Sequence, residues 1–173
     1  MAMRQAHRVS DPPVRESSHP ETGSYLLEKP SITHFLRLYR LSPMERIDLI
    51  LRGVPAAEAK EVAKRMDVAQ DAMFKVLRLP ISTVNKRAAR NQELTIEESE
   101  RLVGMASLIG QVESMMAESG EAEDFDAAKW LGQWMETPNP ALGQRRPAEF
   151  LCTAEGFRLV SDVLAAMQSG AYL

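Results

Sequence analysis

The sequence predicts an all-α fold. Alanine, leucine and methionine are abundant, whereas aromatic residues make up only 6% of the 173 residues, a composition that favours helices over sheets. Apolar residues recur at intervals of three and four along most of the chain, and no segment alternates as a strand would. Helix-start signals precede several of these periodic segments. We therefore expect a series of short helices and one long helix.

Charge and composition limit the classes of function. The net charge of −3 argues against a general polyanion binder, so any nucleic-acid contact must come from a local patch. The single cysteine, Cys152, allows no internal disulfide and fits a reducing compartment. The chain has no apolar run of about 18 residues, so we expect no membrane span. Its N-terminus also lacks the apolar segment of a secretory signal, and we expect a cytoplasmic protein.

The first part of the chain divides into an arm and short helices. Residues 1–29 mix Pro, Ser, Glu and Arg without periodicity, which predicts a flexible arm. Ser42 and Glu45 have the spacing of a capping box, with Pro43 between them in the first turn, so a helix should begin there. Its apolar side would be Ile47, Ile50 and Leu51. Periodicity and breaks predict helices over 32–39, 42–53 and 55–66.

A basic segment follows these helices. Between positions 72 and 92 there are five basic residues and no acidic ones: Lys75, Arg78, Lys86, Arg87 and Arg90. Pro80 interrupts the helical pattern, which predicts helices over 69–77 and 82–91, with Ser82 as the cap of the second. The side expected to face the core comprises Ile81, Val84 and Ala88. Two short helices with a tight turn are typical of a helix-turn-helix, although a solvated basic face is the alternative.

The second helix of this pair carries the residues expected to contact DNA. A recognition helix lies in the major groove, where its N-terminus approaches phosphates and its outer side chains reach base edges. We assign phosphate contacts to Ser82 and Thr83 and a bidentate pairing with adenine to Asn85. The remaining residues, expected to read guanine or hold the backbone, are Lys86, Arg87 and Arg90. A homodimer would supply the second half-site.

The longest helix should begin at Thr95, which forms a capping box with Glu98, and should reach about Ser119. Its main apolar stripe comprises Leu102, Met105, Ala106, Ile109, Val112 and Met116. Leu108 and Met115 widen the apolar surface beyond one face. Either both faces belong to the core, or the extra width contacts a second copy of the chain.

The last third of the chain has its own pattern. Trp130 and Trp134 share one side of a helix near 127–135, and at least one indole should be buried. The stretch 137–140 reads Thr-Pro-Asn-Pro, which fixes a rigid turn. A final helix over 153–169, capped by Thr153, has the inward stripe Phe157, Val160, Leu164 and Met167. The last three residues, Ala171, Tyr172 and Leu173, form either a disordered end or a peptide that fills a pocket in a partner.

This pattern resembles the toxin-binding domain of the Xre/MbcA/ParS antitoxins. The matching positions are Trp130-Leu131, Pro138-Asn139, Ala141-Leu142-Gly143, Pro147 with Leu151, Gly156 with Val160 and Leu164, and Gly170. Residues 78–109 also resemble the family's Xre-like helix-turn-helix and the helix after it, so the resemblance covers about 43–173. Gln144 departs from the pattern, since the family often has a second glycine there.

The resemblance implies a function and a set of partners. Such proteins are antitoxins of type II toxin–antitoxin pairs, whose usual partner is a RES-domain toxin that degrades NAD. The C-terminal domain covers the toxin's active site, and the N-terminal domain binds operator DNA and represses the operon. This interpretation assigns 30–120 to DNA binding and dimerisation and 121–173 to toxin binding. The residues expected to contact toxin are Trp130, Trp134, Asn139, Leu142, Arg146, Gly170, Ala171, Tyr172 and Leu173.

The sequence gives no indication of an enzyme. The three histidines lie in or near the arm, without metal-ligand spacing to Cys152, and no glycine-rich phosphate loop is present. We therefore expect no catalytic residue, no metal and no cofactor. Two alternatives to an antitoxin stay open at this point. One is a helix-turn-helix transcription regulator whose C-terminal module binds a different partner, and the other is a helical adaptor that no longer binds DNA.

Overall fold

The structure is a computed structural model that describes residues 31–120 and 125–170. Within these ranges it is helical and contains no strand, which confirms the predicted all-α class. The predicted arm, residues 1–29, lies outside the described residues. The α-helices are α1 (Phe35–Tyr39), α2 (Pro43–Arg52), α3 (Ala56–Arg65), α4 (Gln70–Val76), α5 (Ile81–Ala89), α6 (Ile96–Ser119), α7 (Ala127–Trp134) and α8 (Ala154–Gln168). Two 3-10 helices, Pro140–Leu142 and Pro147–Glu149, lie between α7 and α8.

Local capping sets the starts of α2, α6 and α8 as the sequence predicts. The Ser42 hydroxyl accepts the Glu45 N–H at 3.3 Å, and the Glu45 carboxylate accepts the Ser42 N–H at 2.8 Å. Thr95 and Glu98 form the same reciprocal pair at the start of α6. In α8 the Thr153 hydroxyl accepts the Gly156 N–H at 3.0 Å. Each cap satisfies donors that the first helical turn leaves unpaired.

The long helix α6 is the centre of the fold. Helices α1, α2, α7 and α8 all pack against it. Leu108, on the wider part of its apolar surface, is 3% exposed, and Met115 is half-buried. Both faces of α6 are thus used within one chain. The wide apolar surface of α6, for which a second copy of the chain was one explanation, is therefore accounted for by packing within the chain.

A close helix crossing fixes α1 on α6. A Cβ atom at Gly110 would lie 2.1 Å from the Phe35 carbonyl oxygen, so only glycine permits this approach. At the next residue, Gln111 joins α6 to α8, because its amide donates to the Ser161 carbonyl at 2.9 Å and accepts from the Ser161 hydroxyl at 2.8 Å. The buried polar group is thereby satisfied.

On α2 and α8, three predicted orientations differ from the structure. On α2, Ile47 and Leu51 are exposed, and Leu49 is the residue that packs inward. On α8, Val160 and Leu164 are buried as expected, but Met167 is 38% exposed. A short amphipathic helix can rotate by part of a turn to suit its neighbours, and spacing alone does not fix that angle.

The described residues from 31 onward share a continuous hydrophobic core. Buried side chains of α1 to α6 and of α7 and α8 belong to the same cluster, from Ile32 to Leu164. The predicted boundary at 120 falls where α6 ends, at Gly120 with φ of 79°. The division into 30–120 and 121–173 as separate domains stays a prediction.

Candidate DNA-binding and toxin-binding surfaces

Helices α4 and α5 form the predicted pair with a tight turn. Leu77 and Leu79 are buried in the turn, and the Leu79 N–H donates to the Phe74 carbonyl at 2.7 Å. Between these leucines Arg78 adopts φ of 49°, a left-handed conformation that costs an L-residue about 1 kcal/mol. This conformation reverses the chain and leaves the Arg78 side chain in solvent.

Helix α5 begins one residue earlier than predicted. Pro80 occupies the cap position, and its carbonyl accepts the Val84 N–H at 2.9 Å, so Ser82 lies in the first turn and does not cap. Proline suits this position because it fixes φ and needs no donor. Val84 is fully buried and holds α5 on the core. Ile81, which was expected to face the core, is 38% exposed.

The six predicted DNA-contacting residues differ in exposure. Ser82, Lys86 and Arg90 are exposed, whereas Thr83, Asn85 and Arg87 are half-buried. The Asn85 Oδ1 accepts a hydrogen bond from the Gln70 side chain at 3.0 Å, which joins the first residue of α4 to α5. A bidentate pairing with adenine needs that same oxygen as an acceptor, so only its second lone pair is available.

Arg87 has a partner within the chain. Its guanidinium forms a salt bridge with the Glu98 carboxylate, and the Glu98 side chain is only 7% exposed. The same carboxylate accepts the Thr95 N–H at 2.8 Å, so it closes the α6 capping box as well as pairing with α5. This contact could not be predicted from the sequence, because Arg87 and Glu98 lie 11 positions apart on different helices. The predicted role of Arg87 in DNA binding stays a prediction.

Backbone hydrogen bonds hold the segment that follows α5. The Leu94 N–H donates to the Val54 carbonyl at 2.8 Å, and the Ala56 N–H donates to the Gln92 carbonyl at 3.0 Å. The buried Ser99 hydroxyl on α6 accepts the Val54 N–H at 3.0 Å. The segment after α5 is thus fixed to the loop between α2 and α3.

The C-terminal module begins with an aromatic cluster on α7. The rings of Trp130 and Trp134 stack at 5.6 Å with an interplanar angle of 11°, and Phe125 contacts Trp130 at 6.0 Å. Both indoles are half-buried and pack against the core. They combine a structural role with partial exposure, which is typical of aromatic residues at binding surfaces.

The turn after α7 is held by Asn139. Its Oδ1 accepts the Ala141 N–H at 2.9 Å, and its backbone pairs with Arg145 and Gln144. Gly143 and Gln144 both have positive φ, at 65° and 64°. A left-handed conformation at position 144 explains why the related pattern has a second glycine there. The Asn139 side-chain oxygen is thus already bonded within the turn, and its contact with toxin stays a prediction.

The two arginines after this turn lie on the surface. Arg146 pairs with Glu136 at 3.1 Å and remains 52% exposed. Arg145 lies over the Phe150 ring at 4.4 Å and pairs with Glu149 at 3.1 Å. Leu142, by contrast, is 7% exposed, so its side chain packs inside the module. Of the predicted toxin-contacting residues in this turn, Arg146 is the one available to a partner.

The start of α8 requires a glycine. A Cβ atom at Gly156 would lie 1.8 Å from the Phe150 carbonyl oxygen, so the first turn of α8 rests directly on the preceding backbone. The helix ends before Gly170, which is exposed with φ of 68°. The predicted tail residues Ala171, Tyr172 and Leu173 lie outside the described residues.

Across residues 31–120 and 125–170, no helix is both long and apolar enough to cross a membrane. In the same ranges, no group of His, Cys, Asp and Glu side chains has the arrangement of a metal site.

Comparisons with known proteins match both halves. The family model for the antitoxin Xre-like helix-turn-helix domain matches residues 45–107, and that for the antitoxin Xre/MbcA/ParS C-terminal toxin-binding domain matches residues 123–170. A protein of Sphingobium sp. (strain YBL2), named Prs ADP-ribosylating antitoxin, is 49% identical over 135 residues, which cover 78% of this chain and 85% of the relative. The chain belongs to the Xre/MbcA/ParS family of type II antitoxins.

A second relative supports the same assignment. The antitoxin Xre of Pseudomonas putida (strain KT2440) is 27% identical over 92 residues, which cover 53% of this chain and 52% of the relative. The antitoxin therefore combines a helix-turn-helix domain with a C-terminal toxin-binding domain, as the sequence patterns predicted.

Proposed function

We propose that this antitoxin neutralises a cognate RES-domain toxin that degrades NAD and represses its own operon by binding operator DNA. The observation that carries the proposal is the combination in one chain of an exposed cationic α5 and a domain of the toxin-binding family. As the protein would act by occupying other macromolecules, it needs no catalytic residue or cofactor of its own.

The expected toxin chemistry agrees with the name of the Sphingobium relative. That name refers to ADP-ribosylation. Transfer of ADP-ribose consumes NAD and releases nicotinamide, as hydrolysis of NAD does. Nicotinamide release therefore measures the toxin's activity in either case, and the acceptor of ADP-ribose distinguishes transfer from hydrolysis.

The proposed toxin-binding surface combines α7, the turn after it and the residues that follow α8. Arg146 offers an exposed guanidinium, and Trp130 and Trp134 offer partly exposed rings. We propose that Ala171, Tyr172 and Leu173 follow Gly170 into the toxin's active site and block the entry of NAD. An aromatic ring suits a pocket built for a nucleotide.

The test is titration of purified toxin with antitoxin while nicotinamide release is followed. The full chain should abolish release at a fixed stoichiometry, whereas a chain ending at Gly170 should bind the toxin yet leave most of the release intact. A matched control is Arg158→Ala, which breaks only an exposed pair with Glu155 on α8. Equal inhibition by the truncated and full chains would reject tail insertion.

For DNA binding, Lys86 and Arg90 are the cleanest probes. Both are exposed, and each can neutralise a phosphate. The double variant Lys86→Ala/Arg90→Ala should lower promoter affinity and reduce the slope of log K against log salt by about two. The control Lys60→Ala/Lys64→Ala removes the same charge from exposed positions of α3. If both double variants bind the promoter as the wild type does, α5 is not the recognition helix.

We also propose a cytoplasmic homodimer, since two half-sites require two recognition helices. Met44, Ile47 and Leu51 form an exposed apolar row on α2, at 66%, 47% and 59% exposure, which a second copy would cover. Light scattering should give twice the 19.3 kDa chain mass, and Ile47→Asp/Leu51→Asp should give the monomer. Ile96→Asp, at an exposed residue outside this row, is the control. A monomeric wild type at micromolar concentration would contradict the dimer.

A further inference from the structure

Ile81 is a partly exposed apolar side chain at the start of α5. As the first residue of α5 it is 38% exposed, whereas Val84, one turn later, is fully buried. The open groove between α4 and α5 is lined by Ile81, Ser82 and Asn85 of α5 and by the cations Lys75 and Arg78. The rest of its lining is Asp71, Ala72, Phe74 and Leu79. An exposed isoleucine at this position contributes little to the core. Ile81 lies outside the hydrophobic core cluster, and two cations line the same groove.

The position of Ile81 at the N-terminus of α5 limits which part of the DNA its side chain can contact. In a helix-turn-helix, the N-terminal residues of the second helix contact base edges in the major groove. The edges in that groove present hydrogen-bonding atoms, with one apolar feature, the 5-methyl group of thymine. A branched aliphatic side chain cannot hydrogen-bond, so the thymine methyl is the feature on which it can pack favourably.

We infer that Ile81 packs on a thymine 5-methyl group in each operator half-site and thereby determines part of the sequence specificity. The inference rests on the proposed DNA binding and adds to it a residue and a base. Ser82 and Asn85, which flank Ile81 in the groove, would then place polar contacts beside an apolar one. The turn residue Arg78, held in its left-handed conformation, brings a cation to the same edge.

The decisive experiment removes the methyl group from the DNA. The antitoxin's own promoter fragment is prepared with thymine or with uracil throughout, and affinities for both are measured with the wild-type protein and with Ile81→Ala. Losing one buried methyl contact should weaken wild-type binding about fourfold per half-site. Ile81→Ala should bind thymine DNA correspondingly less well, and its preference for thymine over uracil DNA should fall toward one.

Two controls keep the outcomes distinct. Ile96→Ala removes another exposed isoleucine, outside α5, and should keep the wild-type preference for thymine DNA. Circular dichroism should show that Ile81→Ala is folded at the assay temperature, because the side chain lies outside the hydrophobic core cluster. An unchanged thymine preference in Ile81→Ala overturns the inference but leaves DNA binding intact. Absence of promoter binding by the wild type overturns both the inference and the proposed autorepression.

Discussion

Replacing Arg87 by alanine removes the cation that faces Glu98. The Glu98 side chain is 7% exposed and would keep its hydrogen bond from the Thr95 N–H, but its charge would have no counterion at this contact. Leaving a fully buried charge uncompensated costs about 3–5 kcal/mol. Arg87 itself is 27% exposed, so water can enter the vacated space and reduce that cost. We expect a loss of about 2 kcal/mol.

The loss can be measured by thermal and urea unfolding. For a chain of this size, a loss of about 2 kcal/mol lowers Tm by about 4–8 °C. Lys86→Ala, at the exposed neighbouring position, should change stability by less than about 0.5 kcal/mol. The double variant Arg87→Ala/Glu98→Gln should recover part of the loss, because glutamine keeps an acceptor for the Thr95 N–H without a charge.

Equal stability of Arg87→Ala and Lys86→Ala would refute this account of the ion pair. The result also affects how DNA binding is tested. If Arg87→Ala unfolds part of the region between α5 and α6, a loss of promoter binding in that variant does not identify a DNA contact. The exposed pair Lys86 and Arg90 avoids this ambiguity.

Three further changes test the fold and its pH dependence. Gly156→Ala should destabilise the fold by about 3 kcal/mol or more, because its Cβ would meet the Phe150 backbone. The control Gly104→Ala should cost less, since its Cβ would meet only the movable Phe157 ring. Urea midpoints that fall equally for both variants would contradict this. Gln144→Gly should raise stability by about 0.5 kcal/mol by relieving a left-handed conformation, and a lower urea midpoint would argue against strain there. Burial raises the pKa of Glu58, which accepts the Ile32 N–H at 2.6 Å. The native state therefore holds this proton more tightly than the unfolded chain, and the carboxyl group's contribution to stability falls as pH rises above the ordinary value of 4.5. Glu58→Gln keeps the acceptor without the titration, so its stability relative to wild type should increase from pH 4 to pH 7; a difference independent of pH would reject the assignment.

The helix boundaries could be predicted because the signals that set them are local. The Ser42 and Thr95 capping boxes and the Thr153 cap each involve residues three positions apart, and all are present as the sequence predicted. Pro80 likewise lies in the break between α4 and α5, although it takes the cap position that the sequence assigned to Ser82. Such contacts form within one turn and depend little on the rest of the chain.

The sequence predicted which segments form the candidate sites, but not which of their side chains are exposed. Spacing identified α5 as cationic, but it did not separate Arg87, which pairs with Glu98, from the exposed Lys86 and Arg90. In the toxin-binding module, the sequence pattern included Leu142 among the contacts, and the structure buries it. Which side chains remain exposed to a partner depends on their neighbours from other helices and turns. Sequence spacing does not identify those neighbours.

The amino-acid sequence by itself determined the helical class, most helix starts, the cationic second helix and the family pattern of the C-terminal module, since each follows from local hydrogen bonding, composition or spacing. Tertiary structure decided the rotation of each helix. It turned Ile47 and Leu51 outward, placed Ile81 at the groove and used both faces of α6 within one chain. Close backbone approaches at Gly110 and Gly156 fix that packing, and contacts between distant segments are what select one rotation over another.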